Sequence, residues 1–242
     1  MKNDSQPIEL TVVLPAYLEA EALKKLLPLL IGAVSQLTPH HEILVVDAQQ
    51  KADDTQEVCS RNQVRHVFRR HGSFYGDAVR TGIEEACGEY ILFMDADGSH
   101  NPAHIASLWE HRREFDVVVG SRYMKGGATE NPRILIFMSW VVNVTFRTFF
   151  QLNCKDVTNS FRLYRGMRLR AMTLQSDNFD IVEELLIKIC SGPRAGKLKE
   201  VPVTFERRKA GESKRNLVAF AFSYIWTLMR LLKIKFAASR ST

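Results

Sequence analysis

The sequence has few cysteines and none in a metal or disulfide pattern: Cys59, Cys87, Cys154 and Cys190 stand about thirty or more residues apart, without a C-x-x-C pair. That excludes a zinc knuckle and a disulfide framework and points to a reducing cytosol. No run of about 18 uncharged apolar residues occurs, and the start, MKNDSQPIEL, has no apolar stretch of signal-peptide length. The expectation is a chain that is neither secreted nor membrane-spanning. Glycine and proline are scarce, at 13 and 8 of 242 residues, which rules out collagen-like and low-complexity chains. What is present is ordinary globular composition, 45% hydrophobic and 25% charged, in a length that suits one large α/β domain or a domain with a small appendage.

The formal charge of +6 is unevenly spread. From Arg194 onward there are 12 Lys and Arg against 3 Glu, giving +9, so residues 1–193 carry 21 positive and 24 negative charges, giving −3. A basic C-terminal region suits nucleic acid, an anionic membrane surface or a phosphorylated ligand.

Along the first half, apolar runs alternate with helical stretches: Ile8–Leu14, a helix over 19–36, Ile43–Val46, Val64–Phe68, a helix over 76–87, Tyr90–Met94, a helix after Pro102 and Val117–Val119. Alternation of this kind predicts a mostly parallel sheet covered on both faces, with ligands at the carboxyl ends of its strands. Four strand ends are polar: Pro15 to Glu19, Asp47-Ala48, Asp95-Ala96-Asp97 and Gly120 to Tyr123. After Gly127 no clean strand is expected until Leu198–Phe205. Between them, Ile134–Phe146 is an uncharged apolar stretch of 13 residues, and Leu217–Met229 is a second, followed by Arg230, Lys233 and Lys235. Each is too short to cross a hydrocarbon layer of about 30 Å. Basic flanks fit helices lying on a membrane surface; burial in the core or in a homodimer interface is the other reading. Nucleic acid as a partner is set aside, because it does not account for aromatic apolar helices interleaved with the basic residues.

Asp95 and Asp97 directly follow the apolar run YILFM, so both carboxylates sit at a strand end. Paired hard oxygens in such a place suit Mg²⁺ or Mn²⁺, which take one or two carboxylates together with substrate phosphates.

Seven stretches, VVLPAYLEAEAL (Val12–Leu23), EILVVDA (Glu42–Ala48), GDAVRTGIEEACGEYILFMDADGSHNP (Gly76–Pro102), DVVVGSRYMKGG (Asp116–Gly127), DVTNSFRLYR (Asp156–Arg165), FDIVEELLIK (Phe179–Lys188) and EVPVTFERRKAGESK (Glu200–Lys214), occur in the order found in one family. The chain resembles the family 2 glycosyltransferases of the GT-A fold, in the branch of polyprenyl- and dolichyl-phosphate sugar synthases. The resemblance implies an α/β, Rossmann-like GT-A domain over residues 1–215, split into a nucleotide-sugar half (1–127) and an acceptor half (128–215), with a basic amphipathic membrane-interface segment over 216–242. It implies a donor such as GDP-mannose or a UDP-sugar, held by Pro15, Tyr17, Glu19, Asp47, Asp95 and Asp97, with Arg208 and Lys214 closing over it. It places the metal on Asp95 and Asp97 and the acceptor phosphate on Arg122, Arg133 and Ser139. Asp97, Arg122 and Glu184 are the catalytic candidates. A phosphate acceptor is already anionic, so orientation and charge neutralisation suffice, and a single displacement inverts the anomeric carbon. A hydroxyl acceptor on a lipid or saccharide would need a base, for which Glu184 or Asp180 is the candidate.

Departures from the family pattern are Leu18 where Asn is common, Ala48 where Asp is common, Gln49-Gln50 in place of a Gly-Ser turn, and Tyr75 where a basic residue is usual, although Arg69, Arg70 and His71 lie close by. Ser99 stands where some relatives offer an extra metal-side oxygen. These departures motivate a further reading, a catalytically impaired nucleotide-sugar-binding subunit of a membrane partner. The expected location is cytoplasmic, peripherally attached to the membrane.

Overall fold

A computed structural model describes residues 6–191, 195–206 and 226–233. The first strands form because continuous apolar runs, buried on both faces, cannot be satisfied at a sheet surface. They are β1 (Leu10–Pro15), β2 (His41–Asp47), β3 (Arg65–Phe68), β4 (Tyr90–Phe93) and β5 (Val117–Ser121). Helices α1 (Ala20–Ser35), α2 (Thr55–Arg61), α3 (Tyr75–Glu85) and α4 (Ile105–Glu110) alternate with them, as expected.

Side chains on each strand divide by parity, the two-residue repeat of a pleated strand. Leu10, Val12 and Leu14 pack with Leu23, Leu27 and Leu30 of α1 on one face, while Val13, Leu44 and Val46 pack with Ala78, Val79 and Ile83 of α3 on the other. The start of α1 is held from a neighbouring loop: Asp53 accepts hydrogen bonds from the backbone N–H groups of Ala20 (3.0 Å) and Thr55 (3.0 Å).

The second half differs from the sequence expectation. A strand, β7 (Arg162–Arg165), lies between β4 and β5 and is antiparallel to both, and with β8 (Leu198–Pro202) at the edge it gives a seven-stranded sheet of order β3-β2-β1-β4-β7-β5-β8. It was hidden because its sequence, Arg-Leu-Tyr-Arg, carries a charge at a core position: Arg162 is fully buried and donates to the carbonyls of Val157 (2.6 Å) and Val182 (2.7 Å). The run 198–205 is divided in two. β8 (Leu198–Pro202) pairs in parallel with β5, whereas β9 (Thr204–Phe205) leaves the sheet to pair with the two-residue β6 (Ala128–Thr129). The remaining helices are α5 (Arg133–Phe150), α6 (Gly166–Arg170) and α7 (Ile181–Cys190), and residues 226–233 are also helical.

Helix α5 covers 18 residues and by length and composition alone could cross a membrane. Its packing is that of a surface helix. Asn143, Phe146 and Phe150 are buried against the domain, while Ile134, Phe137, Trp140, Val141 and Phe149 face outward. Most of Leu217–Met229, and Lys235, lie outside the described residues.

Candidate active-site cleft

The carboxyl ends of β1 and β4 open into a cleft of about 320 Å³. Pro15, Ala16, Tyr17 and Glu19 line it from the end of β1, Asp95, Ala96 and Asp97 from the end of β4, Arg69 and Ser73 from the segment between β3 and α3, Tyr75 from the start of α3, and Phe179 from the turn before α7. Five of the six expected donor-side residues in the described part of the chain therefore meet in one place. The sixth, Asp47, is buried beside it. Its carboxylate accepts from the Ala48 N–H (2.7 Å) and lies 3.2 Å from His66 Nε2. Arg208 and Lys214 lie outside the described residues.

Both β4 carboxylates are held in place by hydroxyls. Ser160 donates to Asp95 Oδ1 at 2.9 Å, and Ser99 donates to Asp97 Oδ1 through its hydroxyl (2.6 Å) and its backbone N–H (3.0 Å). Gly98, between Asp97 and Ser99, has φ of 78°, a conformation that any side chain would resist, and this is what folds the turn back so that Ser99 reaches Asp97. Ser99 is fully buried and so steadies Asp97 rather than adding an oxygen to the cleft. Two partly exposed carboxylates on a fixed turn are a donor set that fits Mg²⁺ or Mn²⁺, with the remaining positions left to phosphate oxygens and water. Among the described residues no third His, Cys, Asp or Glu joins them.

Arg69 was not singled out for the site. Its guanidinium is buried and donates to the carbonyls of Ala16 (2.5 Å), Asp47 (2.8 Å), Ser73 (2.9 Å) and Phe74 (3.1 Å), joining the ends of β1 and β2 to the loop before α3. Burial lowers its pKa, opposed by the nearby Asp47 and Asp77 carboxylates. Also missed was His100, whose Nδ1 accepts from the Asp95 N–H (3.1 Å) and whose Nε2 therefore faces Asn159 Oδ1 (3.1 Å) as the donor. Asn159 in turn donates to the Gly120 carbonyl at 2.6 Å, so a buried chain of hydrogen bonds runs from the end of β4 to the end of β5.

At the end of β5, Arg122 makes a two-pronged ion pair with Asp156, Nε at 2.8 Å and Nη2 at 2.7 Å. Nη2 also donates to Thr158 Oγ1 (2.8 Å) and Ser139 Oγ (3.3 Å), and those two hydroxyls are 3.0 Å apart. Arg122 and Ser139, predicted to share a ligand, are thus neighbours. Arg133 is separate. It is exposed at the first turn of α5, and six residues at about 100° each turn it roughly 120° around the helix from Ser139. Phe205 lies 5.5 Å from the Arg122 guanidinium, and the Glu206 N–H donates to Ser99 O (2.9 Å), so the chain reaches the Asp95–Asp97 turn just before the basic stretch that begins at Arg207.

The expectation for Glu184 needs correction. It is fully buried, away from the cleft, with its oxygens accepting from the N–H groups of Gln175 (3.0 Å) and Ser176 (2.7 Å) and from Lys188 (2.6 Å). Burial alone would raise its pKa, but the Lys188 ammonium and the Ser176 donors outweigh this and lower it. Engaged in this way, the carboxylate anchors the loop at residues 175 and 176. Asp180 is likewise engaged, with Arg230 (2.6 Å) and Thr227 (3.2 Å). Arg230, expected to face lipid, instead reaches inward to Asp180, Ser176 Oγ and the Gln175 carbonyl (2.9 Å).

The profile of the glycosyl transferase family 2 matches residues 11–172. An undecaprenyl-phosphate mannosyltransferase of Micrococcus luteus is 33% identical over 216 residues, covering 84% of this chain and 85% of its own. A dolichol-phosphate mannosyltransferase of Pyrococcus furiosus is 32% identical over 233 residues, covering 93% of this chain, which spans 64% of that longer relative. Among solved structures, glucosyl-3-phosphoglycerate synthase from Mycobacterium tuberculosis superposes with a TM-score of 0.71 at 16% identity, over 94% of this chain and 80% of its own, in a complex with Mn²⁺, UDP and glucosyl-3-phosphoglycerate. The same enzyme with Mg²⁺ and UDP gives 0.70 at 15% identity, over 94% and 79%.

Proposed function

The chain belongs to glycosyl transferase family 2, and from that membership and the cleft we propose that it transfers a hexose from a nucleoside-diphosphate sugar to a polyprenyl phosphate at a membrane surface, with inversion. The observation that carries the donor half of this reading is the pair Asp95 and Asp97, fixed on one turn at the edge of a cleft that β1 also lines. A bound Mg²⁺ or Mn²⁺ would be held there and would offset the charge of the departing diphosphate. Pro15, Tyr17 and Glu19 would hold the nucleoside, with Asp47 supporting them through the carbonyl that anchors Arg69. Arg208 and Lys214 would neutralise the diphosphate or the acceptor phosphate.

On the acceptor side, Ser139, Thr158 and Arg122 present hydroxyl and guanidinium donors at the inner side of α5, whose outer side is aromatic and exposed. A lipid phosphate joins a polar head to an apolar tail, and this helix joins the same two characters. An oxygen of the acceptor phosphate attacks the anomeric carbon, the bond from that carbon to the diphosphate breaks, and the nucleoside diphosphate leaves. No general base is required, which agrees with the engagement of Glu184 and Asp180 and disfavours a hydroxyl acceptor.

Residues 1–215 would act as the transferase unit and 216–242 as a surface-binding segment of a cytoplasmic, peripherally attached protein. The mannosyl relatives favour mannose as the sugar. A thermal-shift screen of nucleotide sugars with and without Mn²⁺ tests the donor half, since a ligand bound to the folded state raises Tm. Incubation with a radiolabelled donor and polyprenyl phosphate tests the acceptor half; the expected product is lipid-soluble and labile to mild acid, and an acid-stable product would indicate a hydroxyl acceptor. Donor binding without turnover on any lipid acceptor would instead favour an impaired subunit.

A further inference from the structure

Tyr75, the first residue of α3, and Phe179, just before α7, stack face to face across the cleft wall, ring centroids 4.1 Å apart and planes inclined by 16°. We propose that this stacked pair is the platform on which the transferred hexose lies, and so a determinant of which sugar is accepted; the proposal rests on the donor reading above.

Phe179 lines the same cleft as Asp95 and Asp97 and is 44% exposed. An apolar ring in such a position is stabilised when a ligand covers it. The hexose of a nucleotide sugar is suited to do so, because one of its faces presents mainly C–H groups while its rim carries hydroxyls. Polar groups adjoin the platform: the Tyr75 hydroxyl is hydrogen-bonded to Ser160, which donates to Asp95. Burial pushes the Tyr75 phenol well above its ordinary pKa, so it stays a neutral donor and acceptor.

The direction also fits. With the diphosphate anchored over β4, the nucleoside and the sugar are attached at its two ends. The β1 and β2 ends lie on one side in the sheet order; Ser160, next to β7, and Arg122, at the end of β5, lie on the other. The hydrogen bond from Tyr75 to Ser160 ties the platform to the β7 side of the cleft.

The platform is rigid. The Gly76 N–H donates to the Asp177 carbonyl at 2.7 Å, and a Cβ on Gly76 would lie 2.4 Å from the Ser176 carbonyl oxygen, so only glycine lets α3 approach this turn so closely. Arg80 of α3 grips the same turn, donating to the Ser176 carbonyl (2.7 Å) and to Asp177 Oδ1 (2.9 Å). Held in this way, the rings are in place before the sugar arrives, which lowers the ordering cost of binding.

The test compares, for the full chain with Mn²⁺, the affinity for UDP with that for UDP-glucose, and for GDP with that for GDP-mannose, by calorimetry. In Phe179→Ala the sugar-bearing ligand should weaken by about 5- to 10-fold while the matching diphosphate changes by less than about 2-fold. Phe179→Trp should keep the affinity for the sugar-bearing ligand. Phe179→Leu, which keeps an apolar side chain against Tyr75 but removes the flat ring, should behave like the alanine variant without a fall in Tm. Equal losses for diphosphate and nucleotide sugar would assign the platform to the nucleobase or to folding, and no loss would leave it without a ligand; either overturns the proposal while the donor reading stands. Failure of the unaltered chain to bind any of the four ligands would overturn the donor reading and this proposal with it.

Discussion

Leu18 has φ of 58°, in the left-handed region, and its side chain is 54% exposed. A branched aliphatic residue is strained there by about 1 kcal/mol, whereas Asn tolerates the conformation through its short polar side chain. Asn in place of Leu18 would relieve that backbone strain, so this departure from the resembled pattern bears on the backbone of the turn. Leu18→Asn should raise Tm by about 1–3 °C in differential scanning calorimetry. Asp97 is the opposite case. Its side chain reaches a turn at the cleft, so Asp97→Asn should leave Tm within about 1 °C in the absence of ligand but remove the Mn²⁺-dependent Tm rise given by nucleotide and lower turnover by at least about 100-fold. Arg122 is less easily tested by deletion, because removing it strands Asp156 as a buried, unpaired charge at a cost of about 3–5 kcal/mol. Ser139→Ala is the cleaner probe of the acceptor side. The KM for polyprenyl phosphate should rise by about 3- to 10-fold with the donor KM and Tm unchanged, the size of one lost hydrogen bond to a charged group.

The turn over 175–180 shows how elements share the work of shaping the cleft. Glu184 and Lys188 of α7 hold its start, Arg80 of α3 holds its middle, and Arg230 of the helix over 226–233 grips Ser176 and Asp180 from outside. Glu184 carries a pH dependence. Its folded pKa lies below the ordinary 4.5, so the stability it contributes is complete above about pH 4.5 and is lost as pH falls through the lower folded value. Glu184→Gln should accordingly destabilise the protein by about 2 kcal/mol at pH 7 and flatten the loss of stability on acidification, as read by urea unfolding between pH 3 and 7. A variant as sensitive to acid as the parent would show that other carboxylates carry the effect.

For the molecule as a whole, the outer face of α5 exposes an aromatic, apolar stripe. Phe137 and Trp140 of α5 are 59% and 54% exposed, stacked 6.1 Å apart, with Ile134 and Phe149 on the same helix, and Trp226 is also exposed. An amphipathic helix of this kind gains by burying its apolar face at the boundary of headgroups and chains, and each basic residue near anionic lipid adds about 1 kcal/mol. The chain should float with anionic vesicles, only partly released by high salt. Phe137→Glu combined with Trp140→Glu should abolish flotation while nucleotide-sugar binding persists. A parent chain that stays soluble with every vesicle and sediments as a dimer would assign the aromatic face to a second copy.

The sequence by itself determined the alternation of strands and helices up to β5, the polar strand ends, the metal-ready carboxylates and the family, because these depend on local runs and short spacings that survive without knowledge of the fold. Pro15, Tyr17, Glu19, Asp95 and Asp97 were all legible in that way. Tertiary structure decided the rest. β7 could not be read because the buried Arg at its start is stabilised by the carbonyls of residues 157 and 182 and by the Tyr164 hydroxyl, which the folded chain brings to it. Glu184 matched a motif spacing, yet burial and its partners turned it from a candidate base into a loop anchor. Arg69, His100 and the stack of Tyr75 on Phe179 join strand ends, loops and helices distant in sequence. Such groups acquire their roles from the hydrogen bonds and ring contacts that long-range packing creates, and no local pattern encodes those contacts.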